Sequence, residues 1–164
     1  RTLIQFDLSP YMGQTVNSAT LYLYRYYIHY SSPLTVQIHR LTRDWNEMES
    51  TWNSAEAGTA WTTAGGDFDS QVYASEALPG TGTAWYSWDV TDLVQEWVDG
   101  TYSNYGLIAK QDSFYGNTYG SYYTRQNSAN ASYMELDAIP EPATIGLLGL
   151  GALLVAWKRL RDRR

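Results

Sequence analysis

The sequence predicts an all-β body, an antiparallel β-sandwich with one short helix, followed by a C-terminal transmembrane helix. Three observations carry this. Several short stretches alternate apolar and polar residues, with Gly, Pro, Ser and Asn between them. One stretch, Val90 to Val98, changes to the period of a helix. The tail from Ala138 to Arg164 has a proline joint, an uncharged apolar run and a basic cluster, in that order.

Residues 2–8 set Ile4, Phe6 and Leu8 on one face and predict a half-buried strand that Ser9-Pro10 stops. Residues 18–28 predict a longer strand, with Ala19, Leu21 and Leu23 on one face and Tyr22, Tyr24 and Tyr26 on the other. Ser31-Ser32-Pro33 reads as a turn, with residues 34–41 returning as the partner strand of a hairpin. Residues 42–66 lack a clean period, and Trp45, Trp52 and Trp61 argue for an ordered loop with room for one helical turn. Gly65 to Asp69 is a tight turn, and Gln71 to Ser75 a short strand.

A strand over 84–88 leads into the helix, whose stripe is Val90, Leu93, Val94, Trp97 and Val98. Asp89 or Thr91 suits its start, and Gly100 sits where a left-handed C-terminal residue belongs. The Trp97 stripe is expected to pack over one end of a sheet. Asn104-Tyr105-Gly106 turns into a strand over 107–110. Strands over 119–125 and 132–137 complete the body. Short strands with one capping helix fit a sandwich better than any helical fold.

The tail divides into a linker over 138–142, an apolar span over 143–157 and a basic end over 158–164. No residue from Ala143 to Trp157 is charged. As a helix the span is about 22 Å long against a hydrocarbon core of roughly 30 Å, a deficit that snorkelling Lys158 and Arg159 and local bilayer thinning absorb. A buried core helix is the ordinary alternative, but it would need a polar face that this run lacks. The basic end belongs on the cytoplasmic side, which places the body outside. Pro140-Glu141-Pro142, the span and the Arg-rich end together resemble the PEP-CTERM sorting signal of Gram-negative bacteria. That resemblance implies an exosortase-type enzyme that cuts near Pro140, Glu141 and Pro142, after a stage anchored in the inner membrane.

Charge agrees with that topology. The chain of 164 residues has a formal charge of −6, but residues 1–142 hold six Lys and Arg against sixteen Asp and Glu, a net of −10. So acidic a body argues against nucleic acid as a partner and suits cations or neutral sugars. There is no cysteine, which excludes disulfides, thiolate catalysis and Cys-based metal sites. The chain starts at Arg1 without a signal peptide, so an export signal and further sequence are expected upstream.

Three stretches of the body also resemble a known module. They are Ile4 to Ser9; Arg43 to Glu47 with Ser50 to Asn53; and Trp88 to Val94 with Trp97 to Gly100 and Asn104 to Gly106. Together they look like the DNRLRE-domain family of jelly-roll modules related to carbohydrate-binding modules. The resemblance covers most of residues 1–137. Members begin several strands before the position of Arg1, so it implies a jelly roll short of N-terminal strands, with an exposed edge or an incomplete core.

The candidate sites follow from side-chain chemistry. Tyr22, Tyr24 and Tyr26 form a row of aromatic rings that could bind an extended glycan, cross-strand packing being the structural alternative. Tyr122 and Tyr123 rank below them. Trp45, Trp52, Trp88 and Trp97 read first as core and loop anchors, and Asp44, Asn53 and Asp89 as loop braces and caps. Asp67 and Asp69, with Glu76, offer hard oxygen ligands that suit calcium; a solvated turn is the plainer reading, since the full calcium-loop pattern is absent. His29 and His39 flank the expected hairpin turn but lack further ligands at metal spacing. Glu47 and Glu49 form no argued glycosidase pair, and no catalytic triad or phosphate-binding loop stands out.

The expectation is a non-catalytic, exported surface or extracellular-matrix protein that binds or organises extracellular polysaccharide. The alternatives are a purely structural surface protein and an accessory module of a larger polysaccharide-degrading enzyme.

Overall fold

The computed structural model describes residues 1–29, 32–113 and 118–140. The apolar span over 143–157, the basic end over 158–164, Glu141 and Pro142 lie outside the described residues. Among the described residues no helix is long and apolar enough to cross a membrane.

The described residues form strands β1 (Thr2–Ile4), β2 (Gln14–His29), β3 (Leu34–Arg40), β4 (Ser54–Glu56), β5 (Thr59–Ala60), β6 (Ala74–Leu78), β7 (Ala84–Asp89), β8 (Leu107–Gln111), β9 (Tyr119–Tyr122) and β10 (Tyr133–Pro140). The described residues also hold one α-helix, α1 (Thr91–Val98), and a 3₁₀ turn over Ser9–Tyr11. One sheet runs β1-β8-β3-β6 and the other β10-β2-β7, with β9 also paired to β2. Every pairing is antiparallel. Arg25 pairs with both Ala84 and Tyr122, so β9 and β10 occupy successive halves of the β2 edge that faces away from β7.

The two sheets share one core. Ala19, Leu21 and Leu23 of β2 and Trp88 of β7 meet Leu34, Val36 and Ile38 of β3, Leu78 of β6 and Leu107 and Ala109 of β8. Trp88 ties the layers directly, its Nε1 donating to the Val36 carbonyl at 3.2 Å. The helix contributes Leu93, Val94, Trp97 and Val98, as its stripe predicts. Its start is held by Asp89, whose Oδ1 accepts from the Thr91 amide and hydroxyl, while Thr91 Oγ1 accepts from the Ala19 amide. It ends at Gly100 with φ 73°, the left-handed conformation a side chain resists.

The expected hairpin of residues 18–28 with 34–41 does not form. β2 and β3 lie in different sheets, and both edges of each are taken by other strands. Successive strands in different layers are common in sandwiches, and a local turn signal does not reveal them; Ser31 of the expected turn lies outside the described residues. Several strand boundaries also differ, β2 beginning at Gln14 and β9 ending at Tyr122 among them. β1 stops at Ile4 because the chain beyond it is held by side chains rather than a ladder: Asn104 Nδ2 donates to the Phe6 carbonyl and Gln5 Nε2 to the Asn104 carbonyl. β6 lies three residues beyond the expected 71–75. β10 continues through Pro140, so Ala138, Ile139 and Pro140 of the expected linker pair with Val16, Thr15 and Gln14.

The outer faces of the two sheets differ. On the β1-β8-β3-β6 sheet, the long segment after β3 folds back as a roof. It contains the β4-β5 hairpin rather than a helical turn, buries Ala55 and Trp61, and sets Phe68 against His39 at 5.1 Å. On the β10-β2-β7 sheet, described side chains of the outer face meet solvent.

Candidate functional site

Period-2 alternation makes that open face aromatic. With Leu21 and Leu23 turned inward, Tyr22 and Tyr24 of β2 turn outward. A β-bulge between Arg25 and Tyr27 then inserts one residue, so Tyr26 and Tyr27 both face out and Ile28 returns to the core. Opposite Tyr24 stands Trp85 of β7, and opposite Tyr22 stands Tyr133 of β10. Tyr123 joins at the end of β9, its amide donating to the Tyr24 carbonyl.

The rings pack on one another. Tyr22 stacks on Tyr133 at 4.7 Å and 10°, and Tyr26 on Tyr123 at 4.5 Å and 20°. Trp85 sets its plane across its neighbours, 77° to Tyr24 and 72° to Tyr133. Tyr26, Trp85 and Tyr133 remain 43%, 38% and 40% exposed. A second cluster continues along β2, where His29 stacks on Tyr119 at 4.9 Å beside Tyr27. The three tyrosines named from the sequence thus lie on one face, but much of their ring surface is spent on cross-strand stacking. Trp85 and Tyr133, which the sequence reading passed over, complete the patch. Parity within β7 is the signal for Trp85: it lies three residues from the buried Trp88, hence on the opposite face.

Beyond Tyr123 the patch opens into a groove of about 430 Å³ lined by Phe6, Trp45, Glu47, Tyr123 and Arg125. Trp45 is fixed there by Nε1 donating to the Tyr105 carbonyl at 2.9 Å. Arg125 pairs with Glu47 at 2.7 Å, and this contact holds the Glu47 carboxyl below its ordinary pKa. Tyr122, by contrast, points inward beside Arg25, and burial pushes its phenol up to about 12.

Arg25 is the unusual inward residue. It is fully buried on the face that carries Leu21 and Leu23. Its Nη2 donates to the Thr81 and Gly82 carbonyls and the Tyr86 hydroxyl, and its guanidinium lies 4.8 Å from the Tyr86 ring centre. No carboxylate pairs with it among the described residues.

The structure gives Asp67 and Asp69 partners other than a metal. Asp67 accepts from the Thr62 and Thr63 amides and pairs with Arg43 at 3.2 Å. Burial alone would raise its pKa; the two amides and Arg43 together hold it below the ordinary value. Asp69 accepts from the Gln71 amide, which lowers its pKa most, and pairs with Arg40 at 2.7 Å. Each carboxylate therefore sits against a guanidinium that opposes a dication; Asp69 braces the roof to Arg40 of β3, and Asp67 braces the roof segment internally. Among the described residues no group of three or more His, Asp or Glu gathers to hold a metal ion. His29 and His39 lie in different sheets and do not face each other. His39 Nδ1 donates to the Asp69 carbonyl at 3.0 Å, and burial lowers its pKa.

The signature tryptophans divide. Trp88 and Trp97 are core, Trp45 is half-buried, and Trp52 is 59% exposed with the Arg1 guanidinium 4.9 Å above its ring.

The PEP-CTERM protein-sorting motif matches residues 138–163, as the three parts of the tail suggest, and marks an exported protein processed by exosortase. Over the body the match is to a family other than the DNRLRE modules its stretches resemble. No curated protein and no solved structure matches the chain. The model described as the disaggregatase related repeat domain covers residues 1–137, and the chain belongs to that family.

Proposed function

We propose that this exported, exosortase-sorted protein is a non-catalytic surface module that binds extracellular polysaccharide through the aromatic face of the β10-β2-β7 sheet. The observation that supports this is the exposure of Tyr26, Trp85 and Tyr133 on one unroofed face, while the other sheet is covered by its own loop. Contiguous apolar surface of this kind usually marks a contact site. Tyr22 to Tyr26 spans about 14 Å along β2, room for several sugar rings in a row. Trp85, set across its neighbours, supplies the ring best placed to stack on a pyranose. The likeness of the signature stretches to DNRLRE modules supports the same reading.

The test is affinity electrophoresis of the full chain and of Trp85→Ala in gels containing neutral polysaccharide. Loss of an anchoring aromatic costs about 1–2 kcal/mol, a five- to thirtyfold weaker association. Unchanged retardation of a folded Trp85→Ala, Tyr24→Ala double variant would refute it.

Two observations favour other readings. The stacking of Tyr22 on Tyr133 and Tyr26 on Tyr123 would also serve a purely structural surface protein, which a glycan array returning no ligand would favour. The family description, a repeat related to a disaggregatase, favours an accessory module of a larger polysaccharide-degrading enzyme. A catalytic domain encoded in the same reading frame would support that second reading.

A further inference from the structure

We propose that the open sheet face selects a polysaccharide carrying free amino groups, of the glucosamine type, over neutral or acidic ones. The inference rests on the glycan reading above and names the sugar chemistry of that site. It starts from what borders the aromatic patch. Along β10 the exposed residues after Tyr133 are Glu135 and Asp137, then Ile139 and Pro140 beyond the bulge. Glu135 Oε2 accepts from the Tyr22 hydroxyl at 3.2 Å, which places this carboxylate beside the Tyr22–Tyr133 stack. Asp137 Oδ2 accepts from Asn17 Nδ2 at 3.0 Å, further along the same face. On β7 the exposed positions are Trp85, Ser87 and Asp89, so a third carboxylate lies on the other side of β2.

No described residue facing outward from these strands is Lys or Arg. The one arginine of β2, Arg25, is turned inward and fully buried. Arg125, two residues past Tyr123, is paired with Glu47 at 2.7 Å. The patch is therefore a set of aromatic rings with carboxylates at one end and no opposing cation, on a body of net charge −10 over residues 1–142.

Two forces then act alike on an ammonium-bearing sugar. Aromatic faces, the negative part of the ring quadrupole, attract a cation. Glu135, two residues from Tyr133, supplies opposite charge beside a ring stacked there, while Asp137 and Asp89, about 14 Å along the strands from Tyr133 and Trp85, face later rings of an extended chain. The same carboxylates repel uronate and sulfate groups, so the face discriminates by charge sign as well as by shape. A neutral sugar gains only the stacking.

The test measures binding of the full chain to chito-oligosaccharides of one length, fully N-acetylated and fully deacetylated, below neutral pH, with oligogalacturonate as the acidic probe. The deacetylated oligosaccharide should bind about three- to tenfold tighter than the acetylated one at low salt. Raising the salt to about 0.5 M should bring the ratio close to one, because exposed charges are screened. Glu135→Gln with Asp137→Asn should reduce the preference to the part that the rings and Asp89 supply, and an undiminished preference would overturn the role of these carboxylates. Equal affinities for the two oligosaccharides in the unsubstituted chain, or tighter binding of oligogalacturonate, would overturn this inference alone. Failure of all three probes to bind would overturn it together with the glycan reading beneath it.

Discussion

Replacing Trp88 by Phe separates a structural tryptophan from an exposed one on the same strand. Trp88 is 2% exposed and is the side chain of β7 that reaches across to β3, where its Nε1 meets the Val36 carbonyl. Phe keeps one ring and loses the other. Removing buried carbon equivalent to about two methylenes costs about 1.6 kcal/mol in transfer alone. The cavity left behind adds to this, since a packed core relaxes only in part. The inter-sheet hydrogen bond contributes about 1 kcal/mol more. The sum is about 3 kcal/mol, and a chain of this length loses about 3 °C of Tm per kcal/mol, so thermal unfolding should shift down by about 9 °C. Circular dichroism melts of Trp88→Phe and Trp85→Phe would read this side by side. Trp85, 38% exposed, should move by no more than about 2 °C. A Trp88→Phe shift as small as that of Trp85→Phe would refute the claim that Trp88 joins the layers.

Three further outcomes follow from the same packing. Arg25→Met should be neutral or stabilising by about 1 kcal/mol in urea melts, because the guanidinium is buried without a carboxylate and its Nε and Nη1 find no acceptor among the described residues; a loss above about 2 kcal/mol would show that the bonds to Thr81, Gly82 and Tyr86 outweigh its desolvation. Burial lowers the His39 pKa from 6.5, so the unfolded chain binds the proton more readily; stability should be full above pH 6.5 and fall as pH drops below it, and His39→Gln should remove that step from a Tm-against-pH profile. Gly106→Ala should destabilise by about 2 kcal/mol or more, because φ is 85° and a Cβ there would collide with the Ile4 carbonyl oxygen, separating β1 from β8; an unchanged melt would contradict it.

What the sequence made legible was whatever depends on parity and period. The helix came from its apolar stripe. The two faces of β2 came from alternation, because a strand allows only two directions for a side chain. Partner choice was not legible. Nothing within residues 18–41 says that β3 pairs with β6 and β8 instead of β2, since that is decided by residues 74–78 and 107–111. The carboxylates of Asp67 and Asp69 looked like open ligands for the same reason: Arg43 and Arg40 answer them from more than twenty residues away in sequence. Trp85 and Arg25 were legible by parity, being out of step with Trp88 and in step with Leu23. A buried arginine, however, contradicts the usual expectation for its residue type.

The sorting signal and the aromatic face meet on one strand. β10 pairs residue by residue from Tyr133, opposite Tyr22, to Pro140, opposite Gln14, with one bulge after Asp137. The distance along it is about 24 Å at the rise of an antiparallel strand. Pro140, the first residue of the Pro-Glu-Pro run, therefore stands at one end of the sheet, and Tyr133, Trp85 and the stacked tyrosines stand toward the other. Glu135 and Asp137 lie between them. The chain thus reaches Pro140 at the end of the sheet opposite the aromatic patch. Under the proposed glycan reading, binding at the aromatic end leaves the end that carries Pro140 free. Fusing a second folded domain directly after Pro140 tests this: glycan affinity should stay within about twofold, and a larger loss would place the binding face beside the sorting motif.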